Sequence, residues 1–304
     1  MRNQIQSLLI GAAIAAVVTL PARAGNSGWV DTPQQTYNAN ALKVEDVVGN
    51  LKIDVRDGGA TMVQISGLQT RVHGVQVKMD QGTLRIEGHN MGEVWDWTHW
   101  FDFGETKPDQ LVVHVVIPRG MRVKVDDLIG NATIGDTQGP MDFSSAGYTQ
   151  SIIGNVAEAH LSLAGSGKLS VGNVSGSLNV DTAGSGDIKV GDVGKVDADI
   201  AGSGSIAVKR IAGALKVDIA GSGDFSAASV NGPTSADIAG SGSVTIAGGE
   251  ADPLHVDIMG SGNVTFGGVA VNPHVSCMGS GNVKLKSARG NASYECGSGL
   301  KVGG

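Results

Sequence analysis

Aromatic side chains are scarce in this sequence and make up only 4% of its 304 residues. Together with 47 glycines, that scarcity would indicate disorder in a chain without any pattern. The hydrophobic fraction is 41%, however, and the chain repeats itself at a regular interval. Disorder is therefore excluded, and the folded core has to be built from aliphatic side chains.

Long apolar runs are lacking too, apart from one near the start. Arg2 precedes an apolar run from Leu8 to Leu20, and Ala22-Arg23-Ala24 matches an A-x-A cleavage site. The run is too short to span a bilayer comfortably. We predict a signal peptide at residues 1–24 and, because no cysteine stands directly after the cleavage site, no lipoprotein anchor. The expected protein has no membrane span and is exported by a bacterium to the periplasm, the outer-membrane surface or the medium.

Basic residues are too few to balance the acidic ones. Removal of residues 1–24 leaves 20 Lys and Arg against 29 Asp and Glu, a net charge of −9. Nucleic acids and anionic membranes attract basic surfaces. The charge therefore argues against both as partners.

The sequence is rich in one repeated tripeptide, G-S-G. It begins at Gly165, Gly184, Gly202, Gly221, Gly240, Gly260, Gly279 and Gly297, at intervals of 18 to 20 residues. A period of this length is typical of a solenoid. A sharp corner needs positive φ and close approach of neighbouring chains, both of which glycine allows. We interpret G-S-G as the corner of each coil and as scaffold.

Apolar and polar residues alternate on both sides of each corner. Leu178-Val180-Thr182 precede one corner and Ile188-Val190 follow it, and the other repeats share the pattern. Such alternation indicates strands with one face inward. No helical pattern separates them, so the strands should pair in parallel from coil to coil, with right-handed winding as the default. The predicted fold is an all-β parallel β-helix, or solenoid, with two firm strands per coil and a short third one.

Residues 25–125 are less regular, and we expect them to form wider β coils that cap the solenoid of residues 126–304. "KVEDVVGNLKI" (43–53) and "KVDDLIGNATI" (124–134) match at most positions, 81 residues apart. The Gly-Asn pair of these segments returns in "IIGNV" (152–156) and "VGNV" (171–174). These echoes favour continuity between the two halves.

Nearly the whole chain after residue 24 resembles a known family. The signal peptide, the G-N-x-x-I opening, the strand "VVHVVIPRG" (112–120) and the G-S-G-D/N-I/V strings, as in Gly184–Ile188, are similar to the head GIN domain family of autotransporter-adhesin head domains. The resemblance implies a parallel β-helix-like fold in a cell-envelope protein. It supplies no catalytic residues.

One segment breaks the aromatic scarcity. "EVWDWTHWFDF" (93–103) contains the five candidate ligand-binding residues Trp95, Trp97, Trp100, Phe101 and Phe103. Exposed tryptophans can stack on sugar rings or anchor a protein partner. The alternative is a hydrophobic plug over the end of the solenoid core.

Aspartates recur three residues before successive corners. They are Asp181, Asp199, Asp218, Asp237 and Asp257. Stacked coils would place these carboxylates outward and ~4.8 Å apart, where they repel one another by about 0.9 kcal/mol per pair in water. Ca²⁺ binding is one interpretation, although the calcium-binding G-G-x-G-x-D signature is not met; otherwise no cofactor is expected. The alternative is a solvated acidic face.

His255, Asp257 and His274 should be neighbours on adjacent coils, but a third strong metal ligand is missing from the pattern. Cys277 and Cys296 are one coil apart, which favours a disulfide in an oxidising compartment. Two buried thiols are the alternative.

No nucleophile–base arrangement stands out, and the G-S-G serines recur without a histidine beside them. The sequence favours a non-enzymatic envelope solenoid that binds a cell-surface glycan or an envelope protein. One alternative is a polysaccharide-cleaving enzyme that uses Asp199, Asp218 and Asp237 as its acids. The other is a structural module that self-associates through its C-terminal coil.

Overall fold

The alternating residues form strands that bury one face and expose the other. The computed structural model, which describes residues 28–88, 111–296 and 299–303, contains 26 β-strands and one short α-helix. The strands form one hydrogen-bonded sheet that winds as a β-solenoid with a repeat of about 19 residues. The predicted fold class is therefore confirmed.

The strands fall into an N-terminal group and a repeat group. The first comprises β1 (Trp29–Asp31), β2 (Gln35–Tyr37), β3 (Ala41–Glu45), β4 (Asn50–Arg56), β5 (Thr61–Leu68), α1 (Gln69–His73), β6 (Val75–Asp80), β7 (Thr83–Gly88) and β8 (Leu111–Pro118). The second begins with β9 (Arg122–Leu128), β10 (Ala132–Ile134), β11 (Pro140–Gly147), β12 (Gln150–Ile153), β13 (Glu158–Gly165), β14 (Lys168–Val171), β15 (Val174–Gly184), β16 (Asp187–Gly202) and β17 (Ser205–Ile211). It continues with β18 (Leu215–Gly221), β19 (Asp224–Gly240), β20 (Ser243–Ile246), β21 (Gly249–Gly260), β22 (Asn263–Val271), β23 (His274–Gly279), β24 (Asn282–Arg289), β25 (Ser293–Glu295) and β26 (Leu300–Val302).

Each regular coil has two long sides and a short third side, and equivalent residues stack in columns. On the side before the corner, Val196 pairs with Leu215; on the side after it, Ile188 pairs with Ile206. Val193 carries the short third side. Such inward residues are almost fully buried, and together they form one continuous apolar core along the solenoid. Each coil completes the core and the hydrogen bonds of its neighbours, as solenoid stability requires.

The G-S-G corners fit the chain because their glycines pack backbone against backbone. The first glycine of each described corner has φ between 118° and 135°. At Gly202, an added Cβ would lie 2.5 Å from the carbonyl oxygen of Gly184 in the preceding coil. The next N–H, that of Ser203, donates a 2.8 Å hydrogen bond to the same oxygen. The coil ladder thus continues through the corner.

The two matching N-terminal segments stack directly on each other. Lys43 pairs with Lys124 and Ile53 pairs with Ile134, in parallel. β7 and β8 lie in the coil on the opposite side, because β7 pairs in parallel with β3 and β8 with β4. The N-terminal half is therefore continuous with the regular coils, while the division at residue 125 stays a prediction.

Antiparallel strands end the solenoid at this side. β6 covers the outer edge of β7, and β5 covers that of β8. β1 and β2 then pair with β5, also antiparallel. An antiparallel strand interrupts parallel stacking, so these pairs close edges that would otherwise be free to pair with another chain.

A side-chain ladder accompanies the recurring Gly-Asn pair on a different corner. The side chain of Asp136 accepts the N–H of Asn155, Asn155 accepts that of Asn173, and Asn173 accepts that of Asp192, at 2.7 to 2.9 Å. A glycine precedes each residue that donates its N–H in this ladder, because a side chain there would clash with the acceptor. At Gly191, for example, a Cβ would lie 2.4 Å from Asn173 Oδ1. The pair is therefore a packing requirement of the corner.

Two further features concern the chain as a whole. A disulfide joins Cys277 to Cys296 on adjacent coils, with their Cα atoms 4.7 Å apart. Across the described ranges, we find no helix with the length and apolarity needed to cross a membrane.

Candidate functional site: an acidic groove

The outward residues just before the corners form three parallel columns on one face. Strand pairing places Asp181, Asp199, Asp218, Asp237 and Asp257 in register on successive coils, and we call this set the aspartate column. On the corner side lies the alanine column, which consists of Ala164, Ala183, Ala201, Ala220 and Ala239 and is continued by Met259. On the other side a mixed column runs through His160, Asn179, Asp197, Lys216, Ser235, His255 and His274.

The aspartate and alanine columns line a shallow groove that we call the acidic groove. Its volume is about 650 Å³, and it extends from Ser162 to Met259 across six coils. The small alanine side chains leave room beside the longer carboxylates. Met259, 61% exposed, stands where the alanine column would continue. The groove is therefore acidic along one wall and apolar along its floor.

The pKa values of three aspartates in the column are shifted, and the shifts differ in direction. Burial and hydrogen bonding to Asp218 raise the pKa of Asp199. Burial and the charge of Asp218 raise the pKa of Asp237 as well. Burial also acts to raise the pKa of Asp218, but the hydrogen bond and charge of Lys216 outweigh it and hold that pKa below its usual value.

Among the residues that the structure describes, few cationic side chains lie near the aspartate column. Lys216 donates a hydrogen bond to Asp218 and lies 3.8 Å from Asp197, and its pKa is raised by this bond. His160 Nε2 lies 3.7 Å from Asp181 Oδ2. The column thus keeps more carboxylates than neighbouring cations, and exposed pairs of this kind contribute little to stability.

Two of the three histidines of the mixed column lie at one end of the aspartate column. His255 and His274 stack with ring centroids 5.0 Å apart and nearly parallel planes. His255 Nε2 lies 2.8 Å from Asp257 Oδ2. Asp237 joins them from the preceding coil, so that one donor atom from each of Asp237, His255 and Asp257 lies within 4.8 Å of the other two.

The sequence pattern located some of these residues and missed others. The register of the aspartates, the neighbouring histidines and the paired cysteines follow from the repeat length. The alanine column was missed, although the alanine before each G-S-G is visible in the sequence. The repeat does not indicate that Asp237 and His255 come together, because contacts between neighbouring columns depend on side-chain orientation.

The aromatic candidates Trp95, Trp97, Trp100, Phe101 and Phe103 lie outside the described residues. The strands on either side of that segment are β7 and β8, whose ends occupy the corner between the two long sides of the outermost parallel coil. Ligand binding by these aromatics, and the alternative that they plug the core, both stay predictions. The same holds for the signal peptide at residues 1–24.

No family model matches the sequence, and no curated protein matches it, so the resemblance to the head GIN domain family stays a prediction. A solved structure described as a "putative adhesin" from Parabacteroides distasonis is 15% identical, with 90% of this chain and 98% of that chain covered and a TM-score of 0.44. Another "putative adhesin", from Bacteroides fragilis, is 16% identical, with coverage of 84% and 96% and a TM-score of 0.41. A "putative lipid binding protein" from Parabacteroides distasonis is 13% identical, with coverage of 89% and 97% and a TM-score of 0.35. With each of these TM-scores below 0.5, the likenesses carry no inference about what this chain binds.

Proposed function

We propose that this chain is an exported, non-catalytic binding protein of the cell envelope that holds an extended partner segment in the acidic groove. The observation that carries the proposal is the acidic groove. It has a volume of about 650 Å³ and combines a column of carboxylates with an apolar floor. The groove lies on strands whose inward residues are fully packed. A rigid surface of this kind pays little ordering entropy on binding.

The charge of the groove favours one class of ligand. Five aspartates share the column, and Lys216 is the cation that contacts it most directly among the described residues. Anionic glycans and lipid headgroups would be repelled. A basic, extended protein segment would instead place its cations against the carboxylates and its aliphatic stems on the alanine column. We therefore favour an envelope protein over a glycan as the partner of the groove.

A basic model peptide tests this assignment. Decalysine should bind the protein with an affinity that falls as salt rises, since screening weakens exposed charge pairs. Asp199→Asn/Asp218→Asn should weaken binding by ~10-fold, which corresponds to about 1.4 kcal/mol. Titration calorimetry at two salt concentrations measures both effects.

The matched control removes the same charge from another face. Asp187 and Asp224 lie on the side after the corner, in register with Lys168 and Ser205 respectively. Asp187→Asn/Asp224→Asn should leave decalysine binding within about twofold of the original protein. Equal weakening by both double variants would show that net charge, not the groove, attracts the peptide, and would overturn the assignment.

A glycan partner remains a separate hypothesis for the aromatic segment. If Trp95, Trp97 and Trp100 form a stacking platform, their replacement by Ala should abolish glycan binding on an array and leave the fold intact. Unfolding of that triple variant would favour the hydrophobic plug instead.

The second candidate function is polysaccharide cleavage, which one observation favours. Neighbouring carboxylates with opposite pKa shifts, such as Asp218 and Asp237, are the arrangement that glycoside hydrolases use for acid and base. Stacking of like charges beside a single lysine explains the same shifts without catalysis, so binding stands first. Product formation from a polysaccharide panel, lost in Asp218→Asn, would reverse that order.

A further inference from the structure

Near Asp257, the aspartate column and the mixed column bring two carboxylates and an imidazole close together. Beside Asp257 the neighbouring mixed column supplies His255, whereas beside Asp218 it supplies Lys216. His255 Nε2 lies 2.8 Å from Asp257 Oδ2, and a carboxylate oxygen of Asp237 completes a triangle with no side above 4.8 Å. Asp237 thus supplies the third ligand that the sequence pattern does not indicate.

We infer that Asp237, His255 and Asp257 form a binding site for a first-row divalent transition-metal ion, with Zn²⁺ as the representative ion. One imidazole nitrogen and two carboxylate oxygens are a donor set that Zn²⁺ accepts, at bond lengths of about 2.0–2.2 Å. Tetrahedral donors around such an ion are roughly 3.4 Å apart. The three groups therefore need only small side-chain movements to converge.

The backbone holds the ligands in place before the ion arrives. Asp237 and Asp257 are paired across adjacent parallel strands, and His255 precedes Asp257 by two residues on the same face. Ser235 Oγ donates to Asp237 Oδ2 at 3.4 Å, which steadies that carboxylate. His274 stacks on the His255 ring and limits its rotation. Such support from neighbouring side chains strengthens metal sites.

A bound ion would also relieve charge repulsion within the aspartate column. Two carboxylates held on adjacent coils repel each other, and a bound dication replaces that repulsion with attraction. Three protein ligands leave a tetrahedral position open for water or for a group of a partner. The side chains of His255 and Asp257 are 42% and 45% exposed and Asp237 is partly exposed, so an ion can enter from solvent.

The imidazole sets the expected selectivity. Ca²⁺ and Mg²⁺ prefer oxygen ligands, and Ca²⁺ takes six to eight of them. Nitrogen and oxygen donors together favour Zn²⁺, Ni²⁺ and Cu²⁺. We therefore assign one transition-metal site to this end of the column in place of calcium ions along its whole length.

Titration calorimetry on the purified, tag-free protein tests the assignment after treatment with EDTA. We expect saturable binding of one Zn²⁺ per chain and no comparable binding of Ca²⁺. His255→Gln should weaken Zn²⁺ binding by at least ~10-fold. Co²⁺ offers a second readout, because a four-coordinate site gives intense visible absorption that His255→Gln should remove.

His160→Gln is the matched control. His160 occupies the same mixed column and faces Asp181 at 3.7 Å, with Asn179 as its in-register neighbour on the next coil. Its loss should change neither Zn²⁺ affinity nor the Co²⁺ spectrum. Three results would each overturn the site: no saturable Zn²⁺ binding, equal Zn²⁺ binding by His255→Gln and the original protein, or equal affinity for Ca²⁺. Circular dichroism of both variants separates these results from a loss of fold.

Discussion

Gly202 illustrates at the scale of one residue why the corners admit so little variation. Its φ is 120°, a region that residues with a Cβ avoid, and a Cβ there would lie 2.5 Å from Gly184 O. The oxygen belongs to backbone that already accepts the N–H of Ser203, so it cannot move aside without breaking the ladder. Strain and contact therefore act together.

Gly202→Ala should destabilise the protein by about 2–3 kcal/mol, because an unfavourable φ alone costs ~1–3 kcal/mol. Urea unfolding followed by circular dichroism measures the change. Ser203→Ala in the same corner is the control; Ser203 is exposed, and its replacement should cost less than about 0.5 kcal/mol. Equal stability of the two variants would contradict the packing account of the corner.

At the scale of an element, the side-chain ladder at the Gly-Asn corners stabilises one edge of the stacked coils. Here side-chain oxygens, not backbone carbonyls, accept the backbone N–H groups of the next coil. The side chain of Asn173 accepts the N–H of Asp192 at 2.9 Å, while its own N–H donates to Asn155 Oδ1 at 2.8 Å. Each rung therefore satisfies a backbone donor that turns away from the regular ladder. Glycine at the preceding position makes the space for it.

Asn173→Ala should cost about 0.5–1.5 kcal/mol, since it leaves one backbone N–H to be satisfied by water. The same substitution at Asn179, which is exposed in the mixed column, provides the matched control and should be nearly neutral. Thermal unfolding of the two variants measures the difference. A melting temperature that falls equally in both would exclude a specific role for the ladder.

The elements also show how far the sequence predicts this structure. The repeat length alone places Asp199 above Asp181 and Cys296 beside Cys277, because in a solenoid equal spacing becomes spatial contact. The segments that begin at Lys43 and Lys124 match at a separation of 81 residues, but this match does not indicate how the residues between them pair. The placement of β7 and β8 on the far side of β3 and β4 depends on long-range pairing, and no local pattern encodes it.

The candidate site was predictable to a similar extent. The column positions of Asp237, Asp257 and His255 follow from the repeat. Convergence of their donor atoms does not, because it depends on the directions of side chains from two neighbouring columns. The acidic groove likewise depends on the small side chains of the alanine column. The repeat period and the polarity pattern do not describe side-chain volume.

At the scale of the whole molecule, stability is distributed along one dimension, and the two ends of the described chain are held differently. β5 and β6 close the N-terminal side with antiparallel pairing and buried residues such as Val63 and Ile65. Near the other end, the three residues of β25 are all exposed and bury little apolar surface. The backbone pairing of β25 with β23 and of β26 with β24 joins this coil to the previous one, and the disulfide between Cys277 and Cys296 reinforces that pairing.

Cys277→Ser/Cys296→Ser should therefore loosen the coil around β25 and β26 and leave the central coils intact. A cross-link that closes a loop of this length contributes roughly 3 kcal/mol, and coils that contact only their neighbours transmit its loss weakly. Hydrogen exchange should show faster exchange in residues 274–303 and unchanged protection in residues 178–221. If protection fell equally throughout, the solenoid would be unfolding as one cooperative unit, and the view of independently stabilised ends would be wrong.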